Sequence, residues 1–183
     1  MASLENAIQN RYIFKPYHPS YPKLFIQQKR FISIILKKVA PVEINHIGST
    51  SVPTLGGKGI LDIIVQVDKK NFSKAKKILH ESGFLYDHTM KKKRHFHRKY
   101  YVDYKGVPRL VHLHLTYFGS GEIEIALAFR EYLRAHKKAR MEYALIKRKA
   151  SKLHSKEGKK YVKYKLKFVE STLKKALKWY ERK

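Results

Sequence analysis

The chain has 183 residues, of which 41 are Lys or Arg and 14 are Asp or Glu, so its formal net charge is +27. It contains no cysteine, which excludes disulfides, thiolate nucleophiles and Cys-based metal sites. The charge favours a polyanionic partner, although a lysine-rich proteome or adaptation to heat would enrich lysine as well.

No targeting or membrane segment stands out. Residues 1–11 lack the apolar core of a signal peptide, and no stretch approaches the roughly 18 apolar residues of a membrane span. The hydrophobic content of 43% is that of a globular protein. We therefore expect a soluble cytoplasmic protein with one domain, or one domain and a helical appendage.

The first predicted elements are a short strand over residues 12–14 and an amphipathic helix over residues 20–39. Apolar residues recur along the second segment at helical spacing, Ser20 is placed to act as its N-cap, and Pro22 lies in its first turn.

A turn rich in Gly, Ser, Thr and Pro separates the next two predicted strands. Residues 42–47 form the first strand, residues 48–59 form the turn with one helical turn inside it, and residues 60–67 form the second strand. That strand is almost continuously apolar, which predicts that it is buried on both faces. A helix then begins near Asn71 and ends at Gly83, which suits a C′ glycine.

Aromatic and basic side chains mix after this helix, and alternation over residues 96–104 predicts a hairpin strand that turns near Lys105-Gly106. Apolar and polar residues also alternate over residues 111–116. This strand would bury one face and present His112 and His114 on the other.

The remainder is predicted to be helical, with helices over residues 125–136, 138–153 and 159–180. The last helix carries an apolar stripe of Tyr161, Tyr164, Phe168, Leu173, Ala176, Leu177 and Tyr180. The chain as a whole predicts an α+β fold with a mixed, largely antiparallel sheet flanked by helices. Residues 1–121 would form the core, and residues 122–183 a basic helical portion packed on it.

The Gly48-Ser49 pair and Asp62 are the most informative residues for chemistry. A strand that ends in Gly-Ser lets backbone N–H groups and a short hydroxyl approach a phosphate chain. A carboxylate on the next strand, facing the same cleft, would hold the magnesium that accompanies those phosphates. The three residues therefore predict a site for a nucleoside triphosphate.

These residues belong to a longer pattern that resembles the GrpB-like family of the nucleotidyltransferase superfamily, which has the DNA polymerase β-like catalytic fold. The pattern comprises residues 46–53, Lys58, residues 60–62, residues 17–22, residues 112–114, residues 129–136, Tyr143, Tyr161 and Lys165. The resemblance implies that Gly48 and Ser49 contact the triphosphate and that Asp62 binds the catalytic metal, Mg²⁺ or Mn²⁺.

One departure from the superfamily concerns the metal. The superfamily usually has two acids separated by one residue on this strand, but here Ile64 follows Asp62 at that spacing. Mg²⁺ binds a single carboxylate weakly. His112 and His114 are candidate catalytic residues. Either His112 replaces the missing acid as a metal ligand, or both histidines act as proton shuttles. Alternatively, both lie on the solvent-exposed side of the sheet and have no role.

Several basic and aromatic residues are candidate phosphate or substrate ligands. Lys58 precedes the Asp62 strand, and Tyr161 and Lys165 share a helix face at i and i+4. Guanidinium groups clamp phosphates, and we consider Arg94, Arg98, Arg130 and Arg134, with Arg94 and Arg130 favoured. His46, at the end of its strand, is either a site residue or a structural hydrogen-bonding residue.

Three functions remain open. The first is transfer of a nucleoside monophosphate from a nucleoside triphosphate to an acceptor, and the second is binding of nucleotide or RNA without catalysis. The third is a phosphoesterase that uses His112 and His114. From Lys137 onward there are 18 Lys or Arg and 4 Glu, and bases interleaved with aromatics suit RNA or another polyanion; a solvated lysine face has the same composition.

Overall fold

The computed structural model describes residues 12–90 and 93–182. Within those ranges the elements are α1 (Tyr21–Ile35), β1 (Val42–Ile47), β2 (Leu61–Val67), α2 (Phe72–Glu81), β3 (Leu85–Met90), β4 (Arg94–Val102), β5 (Pro108–Tyr117), α3 (Glu122–Ala135), α4 (Lys137–His154) and α5 (Gly158–Tyr180). Residues 1–11, for which we predicted no signal peptide, and two lysines of the basic stretch, Lys91 and Lys92, lie outside the described residues.

The five strands form one sheet in the order β1-β2-β5-β4-β3. Only β2 and β5 run parallel, and the other three pairs are antiparallel. This confirms the predicted mixed, largely antiparallel sheet. In the parallel pair Asp62 lies opposite His112 and Ile64 lies opposite His114, so the two strands present these side chains to the same face.

The other face of the sheet carries the main core. Ile63 and Val65 of β2 and Leu113 of β5 are fully buried there, together with Ile32 of α1 and Leu79 of α2. Because successive side chains on a strand alternate between faces, burying these residues under α1 and α2 forces the polar residues of β2 and β5 to the opposite side.

The polar side of the sheet is closed by the C-terminal helices. Ile123 of α3 packs on Ile47 and Ile64, and a second apolar cluster joins the turn after β1 to α3 and α4. This cluster consists of Val52, Leu55, Leu133 and Tyr143. The helical portion therefore shares apolar packing with the sheet portion. The division into residues 1–121 and 122–183, and the expectation that the second part does not fold alone, stay predictions.

Three details of the sequence prediction are wrong. Residues 12–14 form no strand, because the backbone N–H of Phe14 donates to Ser151 Oγ (2.7 Å) and only an isolated bridge joins Lys15 to Gly57. The edge strand β3 was not predicted, because its exposed side chains show no apolar alternation. In α5, Tyr164 is 40% exposed and Thr172 occupies a buried position instead.

Helix bounds otherwise agree with the pattern. The first helix is shorter than predicted, since residues 37–39 form a 3₁₀ turn, and Gly83 follows α2 with a φ of 85° as a C′ glycine. None of the helices within the described ranges has the length and apolarity needed to cross a membrane.

Candidate functional site

A cleft of about 450 Å³ lies between the polar face of the sheet and helices α3 to α5. Nine of the ten predicted site residues line it: Gly48, Ser49, Lys58, Asp62, His112, His114, Arg130, Tyr161 and Lys165. The tenth, Arg94, does not line it. The structure also adds Tyr143 and Lys147 of α4 to the lining, neither of which we had assigned as a site residue.

The Gly48-Ser49 turn lies directly against Asp62. Gly48 has a φ of 69°, and a Cβ at this position would collide with the Asp62 carboxylate. Glycine is thus required twice, for the backbone conformation and for the close approach. The turn is fixed by Ser51, whose Oγ donates to the Gly48 carbonyl oxygen at 2.7 Å.

Asp62 and His112 form a hydrogen-bonded pair on adjacent strands. His112 Nδ1 lies 3.2 Å from Asp62 Oδ1, and the two side chains are 15% and 25% exposed, respectively. Burial raises the pKa of Asp62, but the hydrogen bond from His112 and the electrostatic effects of His112, His114 and Lys58 outweigh it and lower that pKa to about 2. The ionised carboxylate therefore accepts from Nδ1–H, and Nε2 is the ring nitrogen left to bind a proton or a metal.

His114 has a different electrostatic environment. Burial, and the positive charge of Arg94, lower the pKa of His114 to about 3 although Asp62 opposes the shift. Its Nδ1 is buried and has no hydrogen-bond partner among the described residues. A ring that stays neutral at pH 7 is a poor proton shuttle, so proton transfer by His114 is disfavoured. The neutral ring is still able to bind a ligand. The ring of Phe96 makes edge contacts with both histidines, with its centroid 4.8 Å from that of His112 and 5.1 Å from that of His114.

Three lysines form the opposite wall, and we refer to Lys58, Lys147 and Lys165 as the lysine cluster. Lys58 Nζ lies 5.1 Å from the ring centroid of Tyr12, and Lys165 Nζ lies 5.4 Å from that of Tyr161. Burial lowers the pKa of Lys165, against the opposing effect of Asp62. The cluster brings three amines to a cleft that is also lined by the carboxylates of Asp62 and Asp87.

Lys147 is the most buried member of the cluster, with 3% of its surface exposed. Its amine donates to the carbonyl oxygen of Gly56. A Cβ built on Gly57 would lie 2.5 Å from Ser49 Oγ and 3.2 Å from Lys147 Nζ, so the hydroxyl and the amine converge beside this glycine. Burial, reinforced by the charge of Lys165, lowers the pKa of Lys147 well below its usual value.

The sequence contained a signal for Lys147 that we did not use. The buried positions of α4 are Tyr143, Lys147, Ala150 and Ser151, which is the spacing of one helix face. A lysine at a position where this period requires a buried residue is a candidate site residue, whereas the surrounding lysines are exposed.

The arginines mainly hold the turn in place. Arg130 donates from Nη1 to the carbonyl oxygen of His46 (2.7 Å), and Arg134 donates from Nε and Nη2 to that of Ser51 (3.0 and 2.6 Å). Arg94 pairs instead with Glu122 at 3.4 Å, and both side chains are largely buried. A phosphate role for Arg94 is therefore disfavoured, because its charge is already matched. Arg98 lines the cleft and lies 3.9 Å from Asp87.

His46 is a structural residue rather than a ligand. Its Nε2 lies 2.9 Å from Thr50 Oγ1, whose hydroxyl donates to the Ile60 carbonyl oxygen, and its ring stacks on Phe25 with a centroid distance of 4.8 Å. Burial lowers the pKa of His46 to about 4, against the opposing effect of Asp62. The neutral ring ties the two ends of the turn together.

For a divalent cation, β2 offers the carboxylate of Asp62 but not the pair of carboxylates usual in the superfamily. Asp62 Oδ1 is engaged by His112, while Oδ2 is the carboxylate atom nearest the Gly48 turn. Ile64 fills the position of a second acid and is fully buried. No group of three or more His, Asp or Glu side chains that could hold a metal occurs in the described part of the chain, so bound phosphates would have to supply most ligands of an Mg²⁺ ion.

Comparison with known proteins identifies the family. The family model described as GrpB protein matches residues 12–175. The chain is 33% identical to the UPF0157 protein BH1888 of Halalkalibacterium halodurans, covering 87% of this chain and 80% of that protein. It is 27% identical to the UPF0157 protein YqkA of Bacillus subtilis, covering 89% of this chain but only 46% of YqkA, so it spans about half the length of that relative.

Two solved structures extend this result to the fold. The conserved protein GrpB from Enterococcus faecalis superposes with a TM-score of 0.78 at 30% identity, covering 92% of this chain and 99% of that one. The Cid1 poly(U) polymerase, in a mutant bound to MgATP, superposes with a TM-score of 0.53 at 14% identity, covering 75% and 44%; this likeness shows the fold alone. The predicted resemblance is confirmed, and the chain belongs to the GrpB family, with a nucleotidyltransferase-like α+β fold.

Proposed function

We propose that this protein transfers a nucleoside monophosphate from a nucleoside triphosphate to an acceptor, and that the cleft is its active site. One observation carries the proposal: the Gly48 turn, the ionised Asp62 carboxylate and the lysine cluster converge on a single cleft. Its volume of about 450 Å³ lies in the range of small-molecule sites. The fold likeness to Cid1, a polymerase whose structure contains MgATP, supports the same class of substrate.

The two walls of the cleft would have different roles in binding and catalysis. Ser49 and the lysine cluster would bind the phosphates, because ammonium groups neutralise phosphate charge and the glycine turn admits a phosphate close to the backbone. Arg130 lines the cleft and would bind a phosphate there, while its Nη1 holds the turn through the His46 carbonyl oxygen. Tyr161 and Phe129 would border the nucleoside.

His112 would act as the general base. Asp62 orients its ring through Nδ1, which leaves Nε2 to accept the proton of an acceptor hydroxyl. The acceptor oxygen then bonds to the α-phosphorus, the bond from that phosphorus to the bridging oxygen breaks, and pyrophosphate leaves with its charge neutralised by the lysine cluster. We assign His112 to this step rather than to metal binding because Mg²⁺ prefers oxygen ligands.

Asp62 would also hold a single Mg²⁺ or Mn²⁺ ion together with phosphate oxygens. When bound, such an ion would polarise the reacting phosphate.

The test is incubation of the pure protein with each labelled nucleoside triphosphate, Mg²⁺ or Mn²⁺, and total RNA as acceptor. Asp62→Asn removes the charge and keeps the shape, and Asp68→Asn, just beyond the same strand, is the matched control. We expect the wild type and Asp68→Asn to incorporate label and Asp62→Asn to lose incorporation. If no protein incorporates label with any triphosphate, the transferase proposal fails.

A second candidate function is binding of nucleotide or RNA without transfer, and the observation that favours it is the buried Ile64 at the position of a second acid. In this case the wild type and Asp62→Asn would bind triphosphate, and neither would transfer label. Equal binding without transfer would therefore select the binding module.

RNA is our proposed polyanionic partner, because the exposed faces of α4 and α5 are strongly basic. The exposed lysines there include Lys138, Lys149, Lys152, Lys159, Lys160, Lys163, Lys167, Lys174, Lys175 and Lys178. If RNA binds this surface, the logarithm of its affinity falls linearly with the logarithm of salt concentration. A salt titration of fluorescent RNA binding, with no binding at low salt as the contradicting result, tests this partner.

A further inference from the structure

Lys147 differs from the other described lysines in being buried without an ion pair. Its amine is buried, its hydrogen-bond acceptor is the Gly56 carbonyl oxygen, and it forms no ion pair with any carboxylate of the described residues. An uncompensated buried cation destabilises a fold, and leucine or methionine would fill such a space at lower cost. A requirement other than stability therefore explains a lysine here.

The groups around Lys147 make its protonation depend on what occupies the cleft. The ring of Tyr143, from its own helix, lies 4.6 Å from Nζ. Other titratable groups face it from elements packed against α4: Lys58 from the turn before β2, Asp62 from β2, and Lys165 and Tyr161 from α5. Burial and the two neighbouring lysines disfavour a charged amine, and the single carboxylate only partly offsets them.

We propose that Lys147 completes the binding site for the outer phosphates of the nucleotide and takes up a proton from solvent as they bind. This inference rests on the proposed function, because it assumes that phosphates enter the cleft. Ser49 Oγ and Lys147 Nζ converge beside Gly57, so a phosphate held by this hydroxyl lies within reach of the amine. Its negative charge then supplies the counter-ion that the described residues do not provide, and –NH₂ becomes –NH₃⁺.

The consequence is a binding site whose affinity is linked to protons. A phosphate chain that reaches Lys147 binds more tightly as the pH falls, since binding and protonation of the amine favour each other. A nucleoside monophosphate lacks the outer phosphates and shows no such linkage at this residue. The site therefore favours nucleoside triphosphates over nucleoside monophosphates.

The test measures binding of inorganic tripolyphosphate to the full chain by titration calorimetry, without metal or acceptor. Binding in two buffers with different ionisation enthalpies gives the number of protons exchanged. The variant is Lys147→Met, which keeps the volume and suits a buried position, and the control is Lys74→Met, an exposed lysine of α2 outside both the cleft and the basic faces of α4 and α5. Comparing variants with one ligand cancels the protons exchanged by tripolyphosphate itself.

At about pH 8.5 we expect the wild type and Lys74→Met to take up about one proton more per bound tripolyphosphate than Lys147→Met. Lys147→Met should also bind about tenfold or more weakly, as expected for loss of a hydrogen bond to a charged group. Equal proton uptake in the wild type and Lys147→Met, or equal affinity, overturns the proposal, as does a failure of the wild type to bind tripolyphosphate. Because no transfer is measured, these outcomes are distinct from loss of nucleotidyl transfer.

The wild type alone provides a second measurement that does not depend on the variant folding. Carbon NMR of the lysine Cε atoms should show one resonance that titrates well below the other lysines and moves to higher pH when tripolyphosphate is added. A set of lysine resonances that all titrate together, with and without tripolyphosphate, contradicts the inference.

Discussion

The two walls of the cleft differ in how their charges are balanced. We call the wall that carries Asp62 and His112 the strand wall, and the wall that carries Lys147 and Lys165 the helix wall. On the strand wall, the ionised Asp62 carboxylate is matched by the His112 hydrogen bond and by nearby positive charge. On the helix wall, the buried amine of Lys147 and the half-buried amine of Lys165 form no ion pair with a carboxylate of the described residues, and burial lowers the pKa of both. The strand wall is therefore complete before a ligand arrives, whereas the helix wall requires an anion to be complete.

This contrast separates catalysis from binding. The strand wall should control the rate of the chemical step, because it holds the base in position. The helix wall should control affinity for phosphates, because its charge is available to them. Substitutions on the two walls are expected to give different kinetic signatures.

The largest effect is expected on the strand wall. His112→Gln removes the general base and should lower kcat about 100-fold to 10,000-fold while changing KM for the triphosphate little. The control is His95→Gln in β4, whose ring lies against Phe72 on the face of the sheet opposite the cleft. This variant should keep kcat near the wild-type value. Steady-state kinetics of nucleotidyl transfer measure both, and a raised KM with normal kcat for His112→Gln would contradict the division of roles.

On the helix wall, Lys165→Met should raise KM for the triphosphate about 10-fold to 100-fold, since hydrogen bonds to charged groups contribute about 1.5–3 kcal/mol. The exposed Lys167→Met, two residues further along the same helix, should change it little. The same kinetic assay applies. An unchanged KM for Lys165→Met would remove this residue from the phosphate site.

Two buried histidines outside the cleft contribute to the pH dependence of stability. Burial lowers the pKa of His46 and of His97, each to about 4 from an ordinary 6.5. The unfolded chain therefore binds more protons between these values, so stability is full above about pH 6.5 and falls as the pH decreases towards about 4. Each histidine should contribute about 2–3 kcal/mol to this loss.

Urea unfolding at several pH values tests this expectation. His97 is fully buried and neither ring nitrogen has a hydrogen-bond partner among the described residues, so His97→Phe should flatten the acid side of the profile without removing a bond. A profile that is unchanged in His97→Phe would show that this ring does not titrate between the two states in that range.

The smallest expected effect is on the free energy of unfolding, and it concerns the buried Lys147 of the helix wall. Lys147→Met should increase the free energy of unfolding at pH 7 by about 1–2 kcal/mol, because it removes a buried amine with no counter-ion. The lowered pKa of Lys147 makes wild-type stability rise with pH up to the usual lysine value, and the variant should lack this component. A less stable Lys147→Met protein would show instead that the amine stabilises the empty cleft.

The strand wall was also the easier wall to predict from sequence. Alternation along β5 placed His112 and His114 together on one face, and an acid inside an apolar strand identified Asp62. The sequence could not predict the register that places Asp62 opposite His112, because β2 and β5 are 40 residues apart at their closest and their pairing is a tertiary property. It also could not predict β3, whose exposed edge carries no pattern.

On the helix wall, Lys165 was predicted through its resemblance to the family, but Lys147 is one of 41 basic residues and its burial depends on where α4 packs. Arg94 shows the reverse error. Its position near an aromatic strand suggested a phosphate ligand, but Glu122, distant in sequence, neutralises it. In both cases the role depends on a tertiary contact, and composition carries no information about it.

The most direct test of the account is a crystal structure of the full chain with a non-hydrolysable nucleoside triphosphate analogue and Mn²⁺. We predict phosphate oxygens within hydrogen-bonding distance of Ser49 Oγ and of the Lys147 and Lys165 amines, with an anomalous Mn²⁺ signal at Asp62. An analogue bound away from the Gly48-Ser49 turn, or a cleft that stays empty at a saturating concentration, would contradict the assignment of this cleft as a nucleoside triphosphate site.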